Sequence, residues 1–170
     1  MSIGETVRTR NHRVWAEQLL ETWRRAERQL GDAFTTGNRV REAVVEVVTA
    51  WMSYQCAMSS APDELILVAD DERQFVAVSA SARPLLGYEP DELCGRRVDD
   101  LVAQVEAKTV PDRWVQFRAA RREADMIPLC TKSGTVVLFE YEARPDFPVP
   151  GCHVSRLKIA GRAAVAPSSS

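Results

Sequence analysis

The side chains best equipped for chemistry in this sequence are two histidines, four cysteines and several pairs of adjacent acids, and their spacing assembles no reaction centre. His12 lies near the N-terminus and His153 near the C-terminus, so a Ser–His–Asp triad or a histidine-based metal site lacks members. Cys56, Cys94, Cys130 and Cys152 are far apart, with no CxxC pair and no histidine at ligand spacing; they read as reduced, buried thiols. Gly87 and Gly95 are too widely separated to cradle a phosphate. Asp70/Asp71 and Asp99/Asp100 read as solvated residues of turns and helix starts. The sequence therefore points away from an enzyme and towards binding.

The elements that would position a binding site fall into two parts. From Asn11 to about Phe34, Ala16, Leu19, Trp23, Ala26, Leu30 and Ala33 recur at alternating steps of three and four, the seam of an amphipathic helix. Thr36-Gly37-Asn38 interrupts it, with Gly37 suited to a C-cap and Asn38 to the next N-cap. A second helix is expected over Arg39 to Met58, where Val40, Val44, Val47, Trp51 and Tyr54 form a stripe that Val45, Val48 and Met52 widen. That stripe exceeds what one neighbouring helix covers. Its outlets are the rest of the same chain or a second copy. Dimerisation is the expectation, with Ala16, Leu19, Trp23, Ala26, Leu30, Val44, Val47 and Trp51 as the candidate interface.

Beyond a short linker at Ser59 to Asp63 the period changes from 3.6 to 2. Strands are expected at Leu65–Ala69, Phe75–Ser79, Met126–Thr131, Thr135–Ala143 and Cys152–Ile159, with short helices across residues 80–120, the last from Val110 to Arg122. Lys132-Ser133-Gly134 is a hairpin turn, and Arg144 to Gly151 an irregular loop. The predicted class is α+β: a five-stranded antiparallel sheet with short helices on one face, preceded by an α-helical hairpin. The expected divisions are 1–60 (hairpin), 61–161 (sheet domain) and 162–170 (disordered tail).

Composition bounds the partners. The chain is 45% apolar and 27% charged with net charge −2. Residues 1–61 carry eight Arg against seven Asp/Glu, and residues 62–161 thirteen Arg/Lys against seventeen Asp/Glu. Neither part has the basic excess that nucleic acid or an anionic membrane selects. No apolar run approaches the roughly 20 residues of a membrane span, and charges interrupt the N-terminus where a signal peptide would be continuous. The cytosol is the expected compartment, and the preference for Arg, Ala and Val hints at a GC-rich bacterial genome.

One stretch is more specific. Ile66-Leu67-Val68-Ala69-Asp70-Asp71-Glu72-Arg73-Gln74-Phe75 is followed by Ser79 to Leu86 and by Gly87-Tyr88-Glu89-Pro90-Asp91-Glu92-Leu93-Cys94-Gly95-Arg96. With the later Thr131 to Val137, this resembles the PAS family over about 98 of the 170 residues. One departure is Ser79, where many members have a helix-leading Asn; Pro84 shifts the expected cap to Ser81. The resemblance implies a sensory module without catalysis. Light-sensing members carry a reactive Cys after the second glycine, where this chain reads Arg96-Arg97-Val98-Asp99-Asp100-Leu101. Haem-binding members place a His on the helix corresponding to Val110 to Arg122, which has none. A flavin adduct and haem are thus disfavoured and no cofactor is predicted. An unknown small ligand would occupy a pocket drawn from Phe75, Leu86, Leu101, Trp114, Phe117, Leu129, Phe139, Tyr141 and His153. The expected function is a sensor or adaptor that dimerises through its N-terminal helices and signals to a downstream protein. The alternatives are a ligandless protein–protein interaction module and a DNA-contacting regulator.

Overall fold

The computed structural model describes the backbone of residues 3–59 and 63–161, and side chains from Val14 onward. The linker residues 60–62, the tail from residue 162 and the side chain of His12 lie outside the described residues. The chain divides into two compact units at Ser60/Ala61.

The first unit is a helical hairpin of α1 (Ile3–Thr36) and α2 (Val40–Met58). Gly37, at φ +66°, supplies the left-handed turn. Asn38 does not cap α2; that position falls to Arg39, whose side chain makes no capping bond. The seam of α1 is real: Ala16, Ala26, Leu30 and Ala33 are buried, and Leu19 and Trp23 half-buried. Small residues let the helices approach, and Trp23 meets Tyr54 at 5.7 Å between ring centroids. Burial narrows the candidate interface. Ala16, Ala26, Leu30, Val47 and Trp51 are already buried within one chain, so they offer no surface to a second. Heptad spacing shows which side of a helix is covered but not by what.

The second unit is an antiparallel sheet in the order β2-β1-β5-β4-β3. Its strands are β1 (Leu65–Asp70), β2 (Phe75–Val78), β3 (Glu123–Cys130), β4 (Val136–Arg144) and β5 (Cys152–Gly161). Between β2 and β3 run α3 (Ala82–Leu86), α4 (Pro90–Leu93), α5 (Val98–Leu101), α6 (Gln104–Ala107) and α7 (Val110–Ala119). β1 is buried on both faces, which is why it reads as a continuous apolar run rather than an alternation. The turn after it is built by Asp70, whose Oδ1 accepts the N–H groups of Glu72 and Gln74. Asp99 then grips Arg73 with both oxygens, at 2.9 and 3.3 Å. Burial pushes the Asp99 carboxyl up, but the Arg73 guanidinium outweighs it and holds the group below the usual carboxylate range.

Ser79 and Ser81 behave differently from the expected caps. Ser81 stands at the N-cap of α3 without a capping bond and donates instead to the Glu64 carbonyl at 2.7 Å. Ser79 Oγ accepts the Ile66 N–H at 2.9 Å. The two serines therefore tie the start of β1 to α3, and Pro84 falls within the first turn, where no N–H is required. Gly95, at φ +85°, donates to the Phe75 carbonyl, and Phe75 donates back to Arg96, so this loop closes the outer edge of β2. At the opposite edge Val102 bridges to Leu129, and Ala103 donates to Pro128. The core lies between the helices and one sheet face, with Leu86, Leu93 and Phe139 each almost completely buried.

Two boundaries differ from expectation in a way that matters for function. α7 ends at Ala119 rather than Arg122, and β3 begins at Glu123 rather than Met126. Residues 123–125 read as loop because two of the three are acidic, but pairing with β4 from Glu123↔Ala143 onward makes them strand. The cysteines also differ. Only Cys152 is buried, while Cys56 and Cys94 are exposed, and none of the four is in a disulfide. Cys94 turns outward at the C-cap of α4. Burial, with Asp70, Asp71 and Asp146 nearby, pushes the Cys152 thiol up to about 11.

Candidate ligand pocket

α7 crosses the helix-covered face of the sheet and is held near each end by an arginine. Arg118 reaches Asp71 in the β1–β2 turn at 2.9 Å. Arg113 bonds Asp125 on β3 and the hydroxyl of Tyr141 on β4, each at 3.0 Å. Between them Trp114 and Phe117, one turn apart, face inward with their ring centroids 5.4 Å from each other. Beneath this span lies a cavity of about 90 Å³. A single water needs about 10–15 Å³ on this kind of measure, so the space admits several waters or one small organic molecule. Its walls are mostly apolar, from Leu67 and Phe75 on one side to Ile127, Leu129 and Leu157 on the other.

His153 closes one end. It stands opposite Ala69 on β5, is almost fully buried and meets Trp114 and Phe117 edge-on at 5.3 and 5.7 Å. The Asp146 N–H donates to its Nδ1, so the proton sits on Nε2, which donates to Asp71 at 2.9 Å. The irregular loop before β5 supplies Asp146, and so sets the tautomer. Both ring nitrogens are committed, which leaves His153 a wall of the cavity rather than a ligand for a metal.

The other end is charged. Arg113 lies 3.4 Å from Glu106, 3.0 Å from Asp125 and 3.7 Å from Glu123. Tyr141 Oη accepts from Arg113 and donates to Glu123. Burial and the neighbouring Glu123 push the Tyr141 phenol well above its ordinary pKa, so it stays a hydrogen-bond donor. Burial would lower the pKa of Arg113, but Tyr141, Asp125 and Glu123 raise it. Trp114 adds a buried indole N–H that has no hydrogen-bond partner.

No family model matches the sequence, and no curated protein does either. Solved structures do resemble it. A PAS domain from Colwellia psychrerythraea gives a TM-score of 0.54 at 15% identity, spanning 65% of this chain and 98% of its own. A PAS domain of an HTR-like protein from Haloarcula marismortui gives 0.55 at 17%, spanning 70% and 97%. A domain of a sensory box sensor histidine kinase/response regulator from Geobacter sulfurreducens gives 0.53 at 17%, spanning 62% and 90%. The chain carries a PAS fold. Its five antiparallel strands, with short helices between the second and the third, are those the sequence reading expected.

Within that PAS fold, seven of the nine residues chosen from sequence line one cavity: Phe75, Leu101, Trp114, Phe117, Leu129, Tyr141 and His153. Leu86 and Phe139 do not. Both are in the packed core, Leu86 on α3 with its carbonyl bound by Lys132 and Phe139 between Ile127 and Ile159. Parity correctly assigned Phe139 to the helix-covered face, but parity does not say where along a strand the packing opens. Glu106, Arg113 and Glu123 line the cavity and escaped sequence reading because charged residues there look solvated. The available signal was parity: Glu123 and Asp125 alternate with Ile127 and Leu129 on one face of β3.

Proposed function

We propose that this chain is a non-enzymatic sensor or adaptor whose PAS-fold unit binds a small, largely apolar ligand in the α7-covered cavity. The observation that carries this reading is the cavity itself, an unfilled space with aromatic and aliphatic walls inside an otherwise well-packed unit. Filling it tests the reading. Ser155 lines the cavity from β5, and Ser155→Leu places added methyl groups in the open space. In ¹H–¹⁵N NMR titrations with 2-methylbutane, the parent protein is expected to show saturable shifts at pocket residues, and the folded Ser155→Leu variant none. Equal shifts in both proteins would mean that the hydrocarbon binds elsewhere.

The helical hairpin is the proposed route to a second copy or a downstream protein. With most of its seam buried, association would use Leu19, Trp23 and Val44 together with the exposed Val14 and Val45. Light scattering at micromolar concentration is expected to give a dimer mass, reduced to a monomer by Val14→Asp with Val45→Asp. A monomer mass for the unaltered chain removes the homodimer. A ligandless interaction module is the second reading, and Val105 and Val115, 91% and 70% exposed on α6 and α7, favour it.

A further inference from the structure

The two ends of the cavity are not electrically alike. At the His153 end, Asp71 pairs with Arg118, both ring nitrogens are satisfied, and none of the nearby acids Asp70, Asp71 and Asp146 lines the cavity. At the other end a single cation, Arg113, is paired with three carboxylates, Glu106, Glu123 and Asp125. That is an excess of two negative charges around one arginine, and two of those acids, Glu106 and Glu123, line the cavity directly.

An entering anion would meet these carboxylates before it could reach an arginine they already surround. A neutral hydrocarbon would leave the field unused. A cation would be drawn by the acids that line this end. The volume sets the rest of the molecule. An apolar cavity of about 150 Å³ accepts benzene, so one of about 90 Å³ suits a body of roughly four or five carbons.

We propose that the pocket selects a small organic cation, a protonated alkylamine whose aliphatic body fills the apolar end and whose ammonium group lies against Glu106 and Glu123. This rests on the reading of the cavity as a ligand site, and it specifies which ligand chemistry that site prefers. Arg113 then serves to hold the acids in place: without it three carboxylates would repel one another, and with it they retain a net attraction for one further positive charge.

The test uses four probes of nearly one shape, 3-methylbutylamine, 3-methylbutan-1-ol, 3-methylbutanoate and 2-methylbutane, titrated into the full chain at neutral pH and low salt. Chemical-shift changes at the Trp114 indole and neighbouring amides report occupancy. The amine is expected to bind about fivefold more tightly than the alcohol, the scale of one partly exposed ion pair, and the carboxylate most weakly. Glu106→Gln is expected to bring the amine to the level of the alcohol and leave 2-methylbutane unchanged. Should that variant prove unstable, the parent gives a second readout, since added salt should erode the preference for the amine without weakening the hydrocarbon. Carboxylate or alcohol binding as tight as the amine, with the hydrocarbon still bound, overturns the cation and leaves the cavity as a ligand site. If none of the four shifts the pocket resonances, the ligand reading itself fails and the cation preference with it.

Discussion

Truncating Phe139 to Ala is expected to cost about 3–5 kcal/mol, the usual range for removing a fully buried phenyl group. The ring is 0% exposed, on a strand with partners on both sides, paired with Ile127 on β3 and Ile159 on β5. A domain of this size has a total stability of about 5–15 kcal/mol, so the variant should lose a large share of it. Urea denaturation of parent and variant measures the difference directly. A loss under about 1.5 kcal/mol would show that the cavity extends to Phe139, restoring it to the ligand pocket from which its packing removes it.

The second large effect is expected at Leu93, where truncation to Ala should cost about 2–4 kcal/mol. Leu93 ends α4, a helix of one turn whose own hydrogen bonds could not sustain it in water. Glu92 caps its start by accepting the Glu89 N–H, and Lys132 from the β3–β4 hairpin bonds Glu92. The Lys132 pair also holds the Glu92 carboxyl below its ordinary range, but that side chain is exposed and the pair weak in energy. Burial of Leu93 in the core is therefore what fixes the segment from Gly87 to Gly95. A loss below about 0.5 kcal/mol in the same urea experiment would mean that the segment is held by its caps instead.

The sheet was readable because β1 is a short continuous apolar run and β4 alternates, and the hairpin because its apolar residues step by three and four. What escaped the reading has physical causes. Glu123 to Asp125 form strand because β4 supplies partners, a long-range fact to which two acids flanking an alanine give no local clue. Arg113 and Glu106 line a cavity although each looks like an ordinary surface charge, because a cavity mouth is defined by what stands across from it. Of the eight hairpin residues named for an interface, Ala16, Ala26, Leu30, Val47 and Trp51 are buried, since periodicity registers burial without naming the covering element. His153 shows the reverse case. Parity with Leu157 pointed it inward, and only the loop carrying Asp146 reveals that both its nitrogens are spoken for.

The loops lying along β2 and β3 bear on how such a unit could meet other chains. An extended peptide can join a sheet only where an outer strand still offers its backbone groups. At Phe75 both groups are taken by Gly95 and Arg96, and at Pro128 the carbonyl is taken by Ala103 while the ring nitrogen has no hydrogen to give. Strand addition, whether by a signalling peptide or by the first step of fibril growth, is thus obstructed at Phe75 on one flank and at Pro128 on the other. Contact with another protein is left to side chains on helices and sheet faces, where a single substitution can change the choice of partner without disturbing the backbone.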